Sequence, residues 1–234
     1  MTARILLILL SLLYISASFV VGQTIFLRED FKNLNNWEPV HFPKIKKHSA
    51  YEAISENGKT YLKAASDASA SGLVYKKTFN IYDHPRLRWR WRVDHVYDKG
   101  NIREKSGDDY PLRIYVMFQY DSAKAGLPDR VFYGSAKVLY GQYPPHSTLN
   151  YVWANREEEE DIITSPYTDR AKIIILQKGK KKLSMWVEES VNILEDYQKA
   201  FGQSPPDMAS IAIMNDSDNT GGKSVSYIDF IEVE

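Results

Sequence analysis

Four arginines have the spacing to bind a polar or anionic ligand. Arg88, Arg90 and Arg92 alternate with tryptophans in one extended segment, and Arg113 opens a later one. Because successive side chains of a strand point to opposite faces, we expect the arginines to share one sheet face on adjacent strands. A guanidinium binds a carboxylate through two parallel hydrogen bonds. The pattern predicts either a ligand-binding arginine face or an internal ion-pair network.

Two aspartates lie between these segments and bear on both alternatives. Asp108 and Asp109 belong to a Gly-Asp-Asp loop that precedes Arg113. In a structural network they neutralise Arg90, Arg92 and Arg113, since like charges on one sheet face otherwise repel. In a binding site they orient the arginines or accept hydrogen bonds from ligand hydroxyl groups. Both interpretations stay open at this level.

Aromatic residues provide a second candidate surface. The 16 tyrosines, 5 tryptophans and 9 phenylalanines are numerous enough to fill a core and also to form a binding platform. Flat rings stack on the apolar faces of sugar rings, and packing in the core is the alternative role. The predicted ligand-binding residues are Arg90, Arg92, Asp108, Asp109, Arg113, Tyr115 and Trp153.

A loop near the end of the chain is similar to a calcium-binding sequence. Residues 215–221 read Asn-Asp-Ser-Asp-Asn-Thr-Gly and match three positions of the pattern D-x-[DN]-x-[DN]-G. The twelfth position lacks the bidentate glutamate, so the loop is not an EF-hand. Asp216, Asp218 and Asn219 are the candidate ligands of a structural calcium ion, with Asp229 expected nearby. A polar β-turn is the alternative.

Catalytic signatures are absent from the sequence. No G-x-S-x-G, H-E-x-x-H or phosphate-binding loop occurs, and the five histidines are dispersed. The chain has no cysteine, which excludes thiolate chemistry, zinc–thiolate sites and disulfides. No cofactor other than the candidate calcium ion is predicted. Enzymatic activity is left undecided, with a non-catalytic role favoured.

Charge and the N-terminal segment indicate where the protein acts. Lysine plus arginine and aspartate plus glutamate number 30 each, so nothing electrostatic favours nucleic acid or an anionic membrane surface. Residues 1–22 combine Arg4 with an apolar run and small residues, which predicts a signal peptide. We expect a periplasmic or secreted protein without stable membrane insertion after cleavage, and an uncleaved anchor is the alternative.

The remaining residues, 23–234, predict one domain that is mainly β: a jelly-roll-like antiparallel sandwich with one short helix. Spacing of apolar residues places the helix at 191–201, closed by Gly202, and the first and last strands are expected to pair. The predicted strands are 61–64, 72–79, 87–93, 113–118, 151–154, 172–177, 183–188, 211–214 and 226–232.

Six sequence blocks together resemble the exported bacterial family called domain of unknown function 3047. The blocks are ASASGL at 68–73, LRWRWRV at 87–93, KSGDDYPLRIYV at 105–116, YVWA at 151–154, EDYQKAFG at 195–202 and IMNDSDNT at 213–220. The resemblance implies that the arginine segment and the two aspartate loops belong to one recurring framework. It implies no activity, substrate or catalytic residue.

These observations favour an exported, non-catalytic protein of the cell envelope that binds a carbohydrate or a similar polar ligand. A hydrolase or lyase acting on polysaccharides on the same sandwich is the alternative. A purely structural envelope protein is a third hypothesis. The number of subunits is not predicted.

Overall fold

Alternation of apolar and charged residues gives this chain its strands. The computed structural model describes residues 24–140, 143–157 and 160–234, so the predicted signal peptide lies outside the described residues. The strands are β1 (Leu27–Glu29), β2 (Trp37–Val40), β3 (Ala50–Glu56), β4 (Lys59–Asp67), β5 (Ala70–Tyr75), β6 (Phe79–Asn80), β7 (Arg86–Val93), β8 (Arg113–Phe118), β9 (Ser147–Ala154), β10 (Ile162–Thr164), β11 (Ala171–Lys178), β12 (Val187–Asn192), β13 (Met208–Asp216) and β14 (Lys223–Val233). The α-helices are α1 (Leu127–Tyr140) and α2 (Ile193–Phe201).

The strands form two sheets. The six-stranded sheet has the order β12-β7-β14-β4-β3, with β1 also paired to β14. The eight-stranded sheet has the order β10-β11-β9-β8-β13-β5-β2, with β6 also paired to β13. The antiparallel pairing of β1 with β14 confirms the expectation that the first and last strands meet.

Buried aromatic rings join the two sheets. Trp89 and Trp91 of β7 are fully buried, as the alternation in that segment predicts. The ring centroid of Trp89 lies 5.5 Å from that of Tyr151, and the centroid of Trp91 lies 5.9 Å from that of Trp153. Tyr151 and Trp153 both belong to β9 of the other sheet. Tilted ring pairs at this separation add to the stabilisation that burial of their area provides. The mainly β sandwich is therefore confirmed, with its core between the sheets.

Helix α2 is the helix that the sequence predicts. It begins after Asn192, whose side chain accepts hydrogen bonds from the backbone N–H groups of Leu194 and Glu195. It ends at Gly202, which has the left-handed φ of 70° typical of a C-terminal cap. Tyr197 is fully buried, so the apolar side of the helix packs against the sandwich core.

Three details of the predicted architecture are wrong. The segment 183–188 is mostly a turn, because Ser184 has a φ of 60° that interrupts extended backbone, and β12 begins at Val187. The sheets are not wholly antiparallel, since β9 and β11 run parallel. A second helix, α1, is missing from the prediction, and its apolar residues Leu127 and Val131 face outward instead of packing in the core.

Neither helix in the described part of the chain has both the length and the apolar character needed to cross a membrane.

Candidate functional site

The outer face of the eight-stranded sheet carries a cavity of about 490 Å³. Tyr115 of β8 and Met214 of β13 contribute to its lining from the sheet, and Phe42 and Tyr167 contribute from loops. Acidic side chains lie among these apolar groups: Asp108, Asp216 and Asp218. The cavity therefore combines apolar surface with hydrogen-bond acceptors.

Arg113 is buried beside this cavity and bound to two carboxylates. Its Nε atom donates to Asp216 at 3.0 Å, and one Nη atom donates to Asp108 Oδ2 at 3.3 Å. The other Nη atom donates to the Asp108 backbone oxygen at 2.7 Å and to the second Asp216 oxygen. Most of the five N–H donors of the guanidinium are thus used within the protein. For Arg113 the structure bears out the ion-pair alternative, with Asp216 in the position expected for Asp109.

Burial and charge set the protonation of this group. Burial acts to lower the pKa of Arg113, because it disfavours the charged form. The neighbouring Asp216, Tyr115 and Asp108 act to raise this pKa, and as a result it lies well above its ordinary value. Burial raises the pKa of Asp216 to about 7, while Arg113 acts to lower it. Burial also raises the pKa of the Tyr115 hydroxyl, which keeps this group protonated as a hydrogen-bond donor.

Asp109 has a different role and fixes the loop that follows β13. It is fully buried, and its carboxylate accepts hydrogen bonds from the Thr220 N–H at 2.6 Å and the Asn219 side-chain amide at 3.1 Å. One carboxylate oxygen each from Asp109, Asp216 and Asp218 lies within 4.8 Å of the others. The loop thus brings together two of the predicted metal ligands, while the Asn219 amide donates to Asp109.

One carboxylate oxygen beside the cavity has no hydrogen-bond partner. Asp108 is 4% exposed, and its Oδ1 atom makes no hydrogen bond to any residue that the structure describes. The nearby Tyr110 hydroxyl makes no hydrogen bond of good geometry in the described chain, and burial together with the adjacent Asp108 carboxylate raises its pKa. Because a buried polar atom without a partner costs free energy, the Asp108 oxygen calls for a donor, a water molecule or a cation within the cavity wall.

Arg90 and Arg92 do not belong to this site. Strand β7 lies in the six-stranded sheet and β8 in the eight-stranded one, so the connection between them crosses the sandwich. Arg90 pairs with Asp229 at 3.1 Å and Arg92 with Asp94 at 3.3 Å. The prediction of one arginine face on adjacent strands is therefore wrong. The pairing with Arg90 also keeps Asp229 on the other sheet, away from the 215–221 loop.

Trp153 is a core residue rather than a binding platform. Its side chain is fully buried, and its Nε1 atom donates to the Gly179 backbone oxygen at 3.0 Å. Strand β9 is covered on both faces, since Val152 packs with Ile102 and Tyr110 on the side away from the main core. A ligand cannot stack on this ring, so the binding role predicted for Trp153 is wrong.

Sequence analysis missed the loop residues that contribute to the lining of the cavity. Phe42 follows β2, and Tyr167 follows β10 with 52% of its side chain exposed. The Tyr167 hydroxyl donates to the Lys105 backbone oxygen at 3.2 Å, which fixes the ring beside the 105–110 loop. The available signal was Tyr167 within the turn at 165–168. A large aromatic ring is seldom needed to form a turn, so its presence there indicates a binding or packing role.

Two packed sheets with an apolar and acidic cavity on one outer face define a β-sandwich protein with a candidate ligand-binding face. The chain belongs to the family described as protein of unknown function (DUF3047), whose model matches residues 35–232. This confirms the resemblance carried by the sequence blocks. No curated protein sequence matches the chain.

Several solved structures are similar to the chain at low sequence identity. One is the family 11 carbohydrate-binding module of a cellulosomal cellulase of Clostridium thermocellum, with 10% identity over 91% of this chain and 94% of that chain and a TM-score of 0.41. Another is endoglucanase 3 of Trichoderma harzianum from family GH12, with 6% identity over 86% and 98% and a TM-score of 0.41. Winged bean acidic lectin has 10% identity over 88% and 97%, with a TM-score of 0.38. The architecture described above rests on the strand pairing and not on these likenesses.

Proposed function

We propose that this protein binds a carbohydrate, or a polar ligand of similar shape, in the cavity on the outer face of the eight-stranded sheet. The supporting observation is the composition of that cavity, whose lining combines the rings of Phe42, Tyr115 and Tyr167 with aspartate side chains. Sugar rings have apolar faces that pack on aromatic rings and hydroxyl edges that need hydrogen-bond partners. The proposed role is binding without catalysis.

Each group has a defined part in this proposal. Tyr167 presents the most exposed of these rings, with 52% of the side chain accessible, and stacks on one face of the ligand. The Tyr115 hydroxyl donates to the Met214 sulfur at 3.6 Å and lies beside Arg113, so it is a weakly satisfied donor on the cavity floor. Asp218 is only partly buried and lines the same cavity, so its carboxylate accepts a hydrogen bond from a ligand hydroxyl.

The charge of the cavity favours neutral over acidic sugars. Its lining contains three carboxylates (Asp108, Asp216, Asp218) and two cations, Arg113 and Lys44. The guanidinium of Arg113 is already bound to Asp108 and Asp216, so it offers little to an incoming carboxylate. A uronic acid would add a negative charge to a lining that already contains one more carboxylate than it has cations, which is unfavourable.

Binding to an array of neutral and uronic-acid glycans tests this function. We expect selective binding of neutral glycans, with affinity reduced about fivefold by Tyr167→Ala, since one ring stack contributes about 1 kcal/mol. Tyr82→Ala is the matched control, because Tyr82 is 47% exposed and lies outside the cavity. Equal affinity of the two variants, or a preference for uronates, would contradict the proposal.

The proposal includes export of the protein to the periplasm or the exterior. It rests on residues 1–22, whose single arginine, apolar run and small residues have the pattern of a signal peptide. Cell fractionation combined with N-terminal sequencing of the mature protein tests it. Cytoplasmic protein that retains residues 1–22 would contradict it.

Glycoside hydrolysis is a second candidate, favoured by one observation. Oxygen atoms of Asp216 and Asp218 lie within 4.8 Å, and burial raises the pKa of Asp216 to about 7, which suits a general acid. Release of reducing ends from a bound glycan, lost in Asp218→Asn, would support hydrolysis. Binding of the glycan without any release supports the non-catalytic function.

A further inference from the structure

The three carboxylate oxygens behind the cavity have the spacing of a cation site. Asp109, Asp216 and Asp218 each contribute one oxygen, and these atoms lie within 4.8 Å of one another. Calcium binds oxygen at about 2.3–2.6 Å, so two of its ligands are separated by at most about 5 Å. One ion can therefore contact all three oxygens with little movement of the chain. We propose that Asp109, Asp216 and Asp218 bind a divalent cation, and that this cation is calcium.

The balance of charge supports a missing cation. Asp108, Asp109 and Asp216 are nearly fully buried, and Asp218 is partly buried beside them. Arg113 pairs with Asp108 and Asp216, whereas Asp109 and Asp218 form no ion pair with any residue that the structure describes. Burying carboxylates without an opposite charge is costly, and a divalent cation removes most of that cost.

The unpartnered oxygen of Asp108 is a second and independent indication. The Asp108 side chain contributes to the lining of the cavity shared by Asp216 and Asp218, and its Oδ1 atom is buried without any hydrogen bond in the described chain. A buried carboxylate oxygen without a donor calls for a cation or for a water molecule held by one. Asp108 is outside the group of three oxygens that lie within 4.8 Å of one another, so a water molecule bound to the proposed ion is the partner that suits its Oδ1 atom.

Two of the proposed ligands are held in place before an ion binds. Asp109 is fixed by the N–H groups of Asn219 and Thr220, at 3.3 and 2.6 Å. Asp216 is fixed by Arg113 and by the Tyr110 N–H at 3.2 Å. Only Asp218 lacks such contacts with a neighbouring element, and its exposure leaves it free to complete the site.

The chemistry of the ligands favours calcium over other metals. All the donors are carboxylate oxygens, which are hard ligands, and no histidine belongs to the group in the described chain. Calcium accepts six to eight oxygens in irregular geometry, with water completing the shell, whereas magnesium needs a near-octahedral set at about 2.1 Å. Carboxylates drawn from two loops match the less regular requirement.

Calorimetry on the chelator-treated protein tests the proposal without any carbohydrate, so its outcome is separate from that of the proposed function. We expect one calcium ion per chain, weaker binding of magnesium, and a higher melting temperature with calcium. Asp218→Asn should weaken calcium binding at least tenfold. This residue is chosen because it forms no ion pair in the described chain, so the variant retains the fold.

Asp98→Asn is the matched control, since Asp98 is an exposed aspartate paired with Lys180 and its replacement should leave calcium binding unchanged. Terbium luminescence excited through the neighbouring tyrosines, and its displacement by calcium, gives a second measurement where the heat of binding is small. Absence of binding at millimolar calcium in both measurements would overturn the proposal. Calcium binding that Asp218→Asn leaves unchanged would overturn it as well.

Discussion

Arg113 donates hydrogen bonds to both carboxylate oxygens of Asp216, which is the last residue of the neighbouring strand β13. The pair is almost fully buried and joins the first residue of β8 to the last residue of β13. Buried ion pairs add little net stability when intact, but removal of one partner leaves a buried charge without compensation. The cavity wall therefore depends on both partners of the Arg113–Asp216 pair for its stability.

We expect Asp216→Ala to lower the free energy of unfolding by about 3 kcal/mol, because the buried Arg113 guanidinium then keeps only its contacts with Asp108. Asp229→Ala is the control, since it removes the more exposed pair with Arg90 and should cost less than about 1 kcal/mol. Urea unfolding at neutral pH measures both changes. An equal decrease in the free energy of unfolding in the two variants would show that loss of the buried Arg113 pair costs no more than loss of the more exposed Arg90 pair.

Trp153 tests the distinction between core and binding platform. We expect Trp153→Phe to lower the free energy of unfolding by about 1–3 kcal/mol, because it shrinks a buried ring and leaves the Gly179 oxygen without its donor. Ligand affinity of the folded variant should stay unchanged. Tyr167→Ala should behave in the opposite way, with little effect on stability. Melting curves and glycan binding on the same two samples compare them.

Glu189 provides a test of pH dependence. Burial raises its pKa, against the effect of hydrogen bonds from Gln177 at 2.7 Å and Trp91 at 3.2 Å. Because the pKa is higher in the folded state, the protonated form is favoured there, and this stabilisation is lost as pH rises from about 4.5 through the raised value. Glu189→Gln cannot ionise, so its stability relative to the native protein should increase over that range.

Unfolding by urea between pH 4 and 7 measures this difference. Glu188→Gln is the neighbouring control, because Glu188 is exposed and paired with Arg88 at 2.8 Å. A gap between Glu189→Gln and the native protein that stays constant with pH would mean that Glu189 ionises as easily in the folded as in the unfolded chain.

Two glycines with open surroundings should respond in opposite directions to alanine. Gly202 ends α2 with a φ of 70°, so Gly202→Ala introduces backbone strain and lowers stability by about 1 kcal/mol. Gly134 lies within α1, where a Cβ atom would meet nothing within 4 Å, so Gly134→Ala raises helix propensity and stability by up to about 1 kcal/mol. Thermal melts of both variants decide the signs, and a change of the same sign in both would contradict this account.

Local patterns in the sequence predicted local structure well. Alternation around Trp89 and Trp91 identified β7 and its buried face, and the Gly202 cap identified the end of α2. Alternation reports which side of a strand is apolar, but it does not report which sheet the strand joins. For this reason Arg90 and Arg113 were expected on one face although they lie on opposite sheets.

The candidate site was predicted only in part for a related reason. Asp108, Arg113 and Tyr115 do meet at the cavity, since a short loop and one strand connect them. The Asp216 partner of Arg113 is 103 residues away in the chain, and no local pattern encodes that pairing. Trp153 was misplaced because burial of both faces of β9 depends on the distant Ile102 and Tyr110.

The long sequence separation between the residues of the cavity wall also determines how ligand binding can be detected. The cavity wall cannot form from a local segment of the chain alone, because the Arg113–Asp216 and Asp109–Thr220 contacts each close a loop of more than 100 residues. Closing such loops costs entropy that only the completed sandwich offsets, so the binding surface disappears when the domain unfolds. A ligand bound there is thus linked to global unfolding and raises the melting temperature in proportion to the logarithm of its concentration above Kd. Thermal shift across a chemical library is therefore a direct route to the ligand.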